Sequence, residues 1–316
     1  MPRCAPAGLS FGQPRGQWAA WALWIATAAC GGNQPSAASA SKDTRESSTF
    51  TEHAAADKSD SLEAFRTKLA AGITETELDL AAKGWGADLA ALLANSPKVA
   101  ELHSLDVSDN DLGPSGARAL AGGGHWNSLR ELDLGGNDID DEGATAIAHA
   151  PGFSALETLN VSGNSIAGSG ALAIAQGDLR KLVSLDLSMN SIGEDGARAV
   201  SSSTASLEAL YLLGCEIGPV GAKSLAQSTH LTHLSVLALS GNNLGDAGAQ
   251  AIAKSSNLKN LTTLDLCANG IGDSGALALA QSPYLKNLKV LELFGNDIGA
   301  KGSAALQKRF AKGLHL

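Results

Sequence analysis

The chain has 316 residues with 23 Lys and Arg against 32 Asp and Glu, a formal charge of −9. A general nucleic-acid groove needs clustered cations, so that balance argues against one. Four cysteines are too few for a disulfide scaffold, whereas 36 glycines against 4% aromatic residues suit a stack of short units with a turn in each.

Taken from the N-terminus, residues 18–30 read WAAWALWIATAAC. The apolar run from Trp18 to Ala29 is shorter than the roughly 20 residues of a membrane-spanning helix, and Arg15 precedes it. Basic, then apolar, then small residues is the order of an export signal, here 1–29. Its end, Ala28-Ala29-Cys30-Gly31-Gly32, resembles a bacterial lipoprotein processing site, although Thr27 stands where that family usually has Leu. The resemblance implies lipidation of Cys30, membrane anchoring, and an outer-membrane or cell-surface location, because Gly31 is not Asp. Ordinary cleavage after Ala26-Thr27-Ala28 is the alternative and implies a periplasmic or secreted protein. Loss of Arg3 and Arg15 with the signal takes the formal charge from −9 to −11.

Residues 30–60 contain one strongly apolar side chain, Phe50, and are expected to form a tether. Residues 61–101 are expected to cap the C-terminal part of the chain: Leu62 to Leu69 reads as a helix, and Leu78-Asp79-Leu80 as a degenerate unit aligned with Leu105.

From residue 102 to the end, L-x-x-L-x-L-x-x-N-x-I/L-G recurs eight times, opening at Leu102, Leu129, Leu156, Leu182, Leu207, Leu234, Leu261 and Leu288. Spacings are 25 to 27 residues, and a Gly-Ala-x-x-Leu/Ile-Ala segment comes next in most units, as at Gly248-Ala249. Period-two leucines predict a strand, and the Gly-Ala segment predicts a helix. The pattern resembles leucine-rich repeats, closest to the ribonuclease-inhibitor subtype and to bacterial GALA-type repeats. That resemblance implies an α/β horseshoe with a parallel sheet on the concave face and helices on the convex face. In the Asn column (Asn110, Asn137, Asn164, Asn190, Cys215, Asn242, Asn269, Asn296) the resemblance implies an inward side chain that satisfies loop backbone, with Cys215 an accepted substitute. Trp126 and Phe153 lie in a mostly apolar column three residues before each opening Leu and are expected in the core.

On the sheet, the central outward column is Asp106, Asp133, Asn160, Asp186, Tyr211, Ala238, Asp265 and Glu292. Neighbouring carboxylates about 4.8 Å apart repel, so these acids are expected exposed and either poised for a ligand or simply solvated. The column breaks at the fifth and sixth units, where Tyr211, Leu213 and Val236 place apolar side chains outward, with Met189, Cys267 and Phe294 along the same edge. Aromatic anchors inside a charged rim fit a protein-binding site. The candidate partner-binding residues are therefore Tyr211, Leu213, Phe294, Met189 and Val236, with Asp186, Asp265 and Glu292 as rim acids.

Enzyme signatures are missing: no phosphate-cradling Gly-Lys-Ser/Thr loop, no H-E-x-x-H and no G-x-S-x-G. His230 and His233 have no third metal ligand near them in sequence, and Asp138, Asp140, Asp141 and Glu142 lack the Gly of a calcium loop. No catalytic residue, metal or cofactor is expected. The reading is a monomeric, non-enzymatic protein-binding module held at a membrane through Cys30. The alternatives are a secreted effector of GALA type, for which no F-box segment precedes the repeats, and a regulator of the kind seen in Ran GTPase-activating proteins, which share the subtype.

Overall fold

The computed structural model describes residues 61–310 and 313–316. The expected signal, lipidated Cys30 and tether lie outside the described residues.

The chain opens with helix α1 (Leu62–Ala71), whose Ser61 hydroxyl accepts from Ala64 N at 3.2 Å and caps it. Its Phe65 and Leu69 are buried, and Phe65 stacks on Trp85 with ring centres 5.7 Å apart. Strand and helix then alternate: β1 (Glu77–Asp79), α2 (Gly86–Ala94), β2 (Ser104–Asp106), α3 (Gly113–Ala121), β3 (Glu131–Asp133), α4 (Asp140–Ala148), β4 (Thr158–Asn160), α5 (Gly168–Gln176) and β5 (Ser184–Asp186). They continue as α6 (Gly193–Val200), β6 (Ala209–Tyr211), α7 (Gly218–Gln227), β7 (Val236–Ala238), α8 (Gly245–Ala253), β8 (Thr263–Asp265), α9 (Asp273–Gln281), β9 (Val290–Glu292), α10 (Ala300–Phe310) and β10 (Leu314–His315). Ten strands form one parallel sheet in chain order, with Leu78, Leu105, Leu132, Leu159, Leu185, Leu210, Leu237, Leu264, Leu291 and Leu314 in register. This is an open solenoid with helices packed unit on unit behind the sheet. We number its units 1 to 8 from Leu102.

Each strand is only two or three residues long, so the ladder alone cannot hold the stack. The core between sheet and helices does, and it is built from one Leu or Ile per position: Leu102, Leu105, Leu112 and Leu120 in unit 1 repeat as Leu129, Leu132, Ile139 and Ile147 in unit 2, all at most 2% exposed. Trp126 and Phe153 are buried beneath the loops that lead into the strands, and the Trp126 indole N–H donates to Leu120 O at 2.9 Å. On the helix side, Gly143 lets successive helices touch: a Cβ there would meet the Ala117 and Ile139 side chains at 2.9 Å.

Loop backbone is satisfied by the Asn column. Asn190 Nδ2 donates to Val161 O and Leu187 O at 2.9 Å, and its Oδ1 accepts from Asn164 N and Ile166 N, also at 2.9 Å. Each amide thus pairs donors and acceptors of two units that would otherwise be buried unpaired. Cys215 makes a poorer rung: its thiol donates to Leu187 O at 3.2 Å, and burial pushes the thiol up to about 12, so it keeps the proton it donates.

Two further ladders recur at the repeat spacing but lie outside the leucine and asparagine motif. Ser228, Ser255 and Ser282, each just after a helix, donate to Ser201 O, Ala226 O and Ala253 O of the preceding unit at 2.5–2.6 Å. Asp141, Asp246 and Asp273 reach from one helix to the free backbone N–H groups at the start of the next. Asp141 Oδ1 accepts from Ala167 N and Gly170 N, Asp246 Oδ1 from Gly272 N and Gly275 N, and Asp273 Oδ1 from Gly302 N, at 2.7–2.9 Å. Asp141 thereby caps a helix. At the far end the charged helix α10 does not close the sheet by itself; β10 adds a tenth strand beside β9.

Candidate functional site

The concave face carries two outward side chains per strand and a third just beyond it. Its first column changes character along the stack: Glu77, Ser104, Glu131, Thr158 and Ser184 give way to Ala209, Val236, Thr263 and Val290. The central column changes with it, from acids to Tyr211 and Ala238 and back to Asp265 and Glu292.

The acids are not the exposed carboxylates expected. Asp106 and Asp133 are 5% and Asp265 is 3% exposed, and Asp186 is half-buried. The reason is a local bond that the repulsion argument left out. Oδ1 of Asp106, Asp133, Asp186 and Asp265 accepts from the backbone N–H two residues on (Ser108, Gly135, Ser188, Cys267) at 2.8–2.9 Å. This Asx turn folds the chain out of each strand, so the column does stabilise the fold. Asn160 Oδ1 makes the same bond to Ser162 N, and its Nδ2 donates to Asp133 Oδ2 at 2.9 Å. Desolvation raises the Asp106 and Asp186 carboxyls above the usual range and pushes Asp133 up to about 7, against the opposing hydrogen bonds to Gly135 and Asn160.

Glu292, expected as a free rim acid, is met by the His315 Nδ1 of β10 at 2.5 Å. Tyr211 is also corrected. It points to the concave face, but it is 9% exposed rather than free: it stands in register between Asp186 and Ala238 on an inwardly curved sheet, which crowds side chains together. Burial, with the Asp186 charge adding to it, pushes its phenol up to about 12.

Of the remaining candidates, Met189, Leu213 and Val236 gather on adjoining units, and Phe294 stands apart. Val236 pairs in register with Ala209 of β6, and Leu213 is half-buried just beyond that strand. Met189 N donates to Leu213 O at 2.6 Å, which places the two side by side, and Met189 is 60% exposed. Phe294 is 48% exposed, four units beyond Met189. Met189 occupies a position that is left-handed in every unit: Asp109, Gly136, Gly163, Met189, Gly214, Gly241, Ala268 and Gly295 all have φ between 50° and 74°. Five units use Gly there, and a methionine held at φ 58° costs backbone energy that its side chain does not recover in the core.

Sequence reasoning missed Ser240. Its Oγ is buried without a hydrogen-bond partner among the described residues. In unit 1 the equivalent Ser108 hydroxyl donates to Asp106 Oδ1 at 2.7 Å; in unit 6 the residue at the Asp position is Ala238, which offers nothing. The signal was the serine left behind when its aspartate was replaced.

No group of three His, Cys, Asp or Glu residues that could hold a metal is found among the described residues. Cys215 and Cys267 are buried and form no disulfide. On the helix side, a groove of about 470 Å³ between α7 and α8 is lined by Lys223, Gln227, Gln250, Lys254 and Asn257.

Eight segments, running from 102–121 to 284–306, match the family model described as Leucine Rich repeat, and together they cover more than half of the chain. The chain is a leucine-rich repeat protein. Among solved structures, the ectodomain of the Arabidopsis receptor kinase HAESA, solved with a peptide hormone, is 22% identical over 70% of this chain and 34% of its own, with a TM-score of 0.42. A leucine-rich repeat protein of Leptospira interrogans is 19% identical over 78% of this chain and 56% of its own, with a TM-score of 0.44. The internalin InlF of Listeria monocytogenes is 19% identical over 77% of this chain and 87% of its own, with a TM-score of 0.33. This leucine-rich repeat chain therefore spans about a third of the receptor ectodomain and just over half of the Leptospira protein. No curated protein sequence matches it. The leucine-rich repeat fold commonly mediates protein–protein interaction, and no described helix is long and apolar enough to cross a membrane.

Proposed function

We propose that this protein is a non-enzymatic binding module that takes a protein partner on the concave face of units 4 to 8, and that a lipid on Cys30 holds it at the surface of a bacterial membrane. The observation that carries the binding reading is the change in the first two columns from polar to apolar at Ala209, Tyr211 and Val236. It is flanked by Met189 and Phe294, two large apolar side chains exposed beside the sheet that contribute little to the core. The reading of Cys30 rests on the residues around it. GALA-type and GTPase-activating roles have no residue in the described part that favours them.

A photo-crosslinking side chain at Phe294, compared with one at Leu172 of α5, which is 43% exposed on the opposite face, tests the binding surface. Adducts with native-cell surface extract are expected at 294 and not at 172; the reverse pattern ends the reading. For the anchor, Cys30→Ala is expected to release the protein to a soluble fraction and abolish labelling by a palmitate analogue. Labelling that survives the change ends the lipoprotein reading.

A further inference from the structure

We infer that the concave face at units 5 to 7 holds an arginine side chain of the partner, seated over Ala238 between Tyr211 and Asp265 with its guanidinium at Ser240. This rests on the concave face being the binding face and adds the chemistry of what binds there.

The register puts Tyr211, Ala238 and Asp265 side by side on β6, β7 and β8. Strands lie about 4.8 Å apart, so the two larger residues stand roughly 10 Å apart across the small one, which is the width of one inserted side chain. Ala238 is part-exposed while Tyr211 and Asp265 on either side of it are shielded at 9% and 3%, and that marks the opening. Four features of the opening converge on one ligand. Tyr211 is an aromatic side chain, the kind on which a planar cation stacks. Asp265 supplies a carboxylate whose Oδ1 is already oriented by Cys267 N at 2.9 Å, the partner with which arginine makes charge-assisted bonds. Val236 and Leu213, both half-buried, suit the methylene stem.

The fourth feature is Ser240, whose Oγ is buried, 3% exposed as a residue, and unpartnered. A buried unpaired hydroxyl is costly and rare, and a hydroxyl accepts from a guanidinium N–H. An aromatic anchor on the partner would leave Ser240 without a hydrogen bond and Asp265 without a counter-charge.

The surroundings select the same sign of charge. None of the strand residues from β1 to β9 is Lys or Arg, and the residues flanking the Asn column from Asp109 to Asp297 include no cation. That rim exposes Asp109, Asp111, Asp138, Glu216 and Asp297.

The test is a linear peptide library displayed on phage and panned on the full chain, with titration of synthetic forms of the selected peptides afterwards. Enrichment of Arg beside apolar residues is expected. Ser240→Ala and Asp265→Asn should each weaken binding at least tenfold, and replacing the peptide's Arg by citrulline should do the same. Thermal melting separates binding from folding, because Ser240→Ala removes an unpaired group and should not lower the melting temperature. Peptides that respond to Phe294→Ala but ignore Ser240→Ala, Asp265→Asn and citrulline overturn the arginine site and leave the concave reading standing. Peptides indifferent to all of these variants, or a library with no enrichment, overturn both.

Discussion

Units 1 to 4 and units 5 to 8 share one backbone plan and differ in what they place on the sheet. In the first half every central acid or amide is occupied: it closes an Asx turn, and Asn160 also ties its neighbour Asp133. In the second half Tyr211 and Ala238 leave that scheme, Ser240 loses its partner and Cys215 replaces an amide in the loop ladder. The unpaired Ser240 hydroxyl and the thiol rung at Cys215 cost stability, whereas the Tyr211 ring packs at the edge of the core. A repeat protein can keep such departures because each unit leans on its neighbours.

The largest test of that contrast is on the loop ladder. Asn190→Ala strips partners from Val161 O, Leu187 O, Asn164 N and Ile166 N. At about 1–3 kcal/mol per orphaned group, the loss should be on the order of 4 kcal/mol or more. Cys215→Ala should cost about 1 kcal/mol, because a thiol bond is weak; urea melts of both variants give the comparison. Equal losses would mean that the two halves are built alike.

The second test uses pH. The Asp133 carboxyl is raised from 3.8 to about 7 by desolvation. Between those values the folded protein holds a proton that the unfolded chain has lost, so stability should be full below about pH 4 and fall as pH rises to about 7. The effect should reach a few kcal/mol. Asp133→Asn, which copies the Asn160 of the next unit, should flatten that slope in thermal melts from about pH 4 to 8. An unchanged slope would show that Asp133 is ionised in the fold.

Tyr211→Ala should then destabilise by about 2 kcal/mol, the usual cost of truncating a buried ring at the edge of a core, while Phe294→Ala should stay within about 0.5 kcal/mol. Phe294 is thus the cleaner reporter of binding. The smallest effect concerns Met189: Met189→Gly should stabilise by about 1 kcal/mol, as the left-handed position favours Gly. A loss instead would place Met189 among the residues that the fold needs.

What a sequence can disclose depends on what each residue does. Leu105, Leu132 and Asn190 repeat at fixed spacing because the same contact recurs in every unit, so register and inward facing could be read from the pattern. Facing could also be read for Tyr211, since alternation along a strand is obligatory. Exposure could not, because it depends on the curvature of the sheet and on Ala238 in the next strand. Asp186 was read as a repelling charge because the backbone N–H of Ser188 that it accepts from becomes available only when the strand ends. Asp141 and His315 act across unit boundaries, on Gly170 and Glu292, and such partners have no sequence signature of their own.

The helix-to-helix aspartates have a bearing on how the solenoid breathes. They tie unit 2 to 3, 6 to 7 and 7 to 8 through Asp141, Asp246 and Asp273. At the same position units 1, 3 and 5 carry Pro114, Gly168 and Pro219, which have no carboxylate. The thiol rung at Cys215 falls in the same stretch. In a one-dimensional stack local opening is governed by the weakest joints, so the middle of this molecule should exchange its amide hydrogens sooner than units 6 to 8. That middle lies behind Tyr211 and Leu213. The part of the face that departs most from the repeat is thus mounted on a stretch of the spring that lacks these ties, and there the radius of the curve is freest to change.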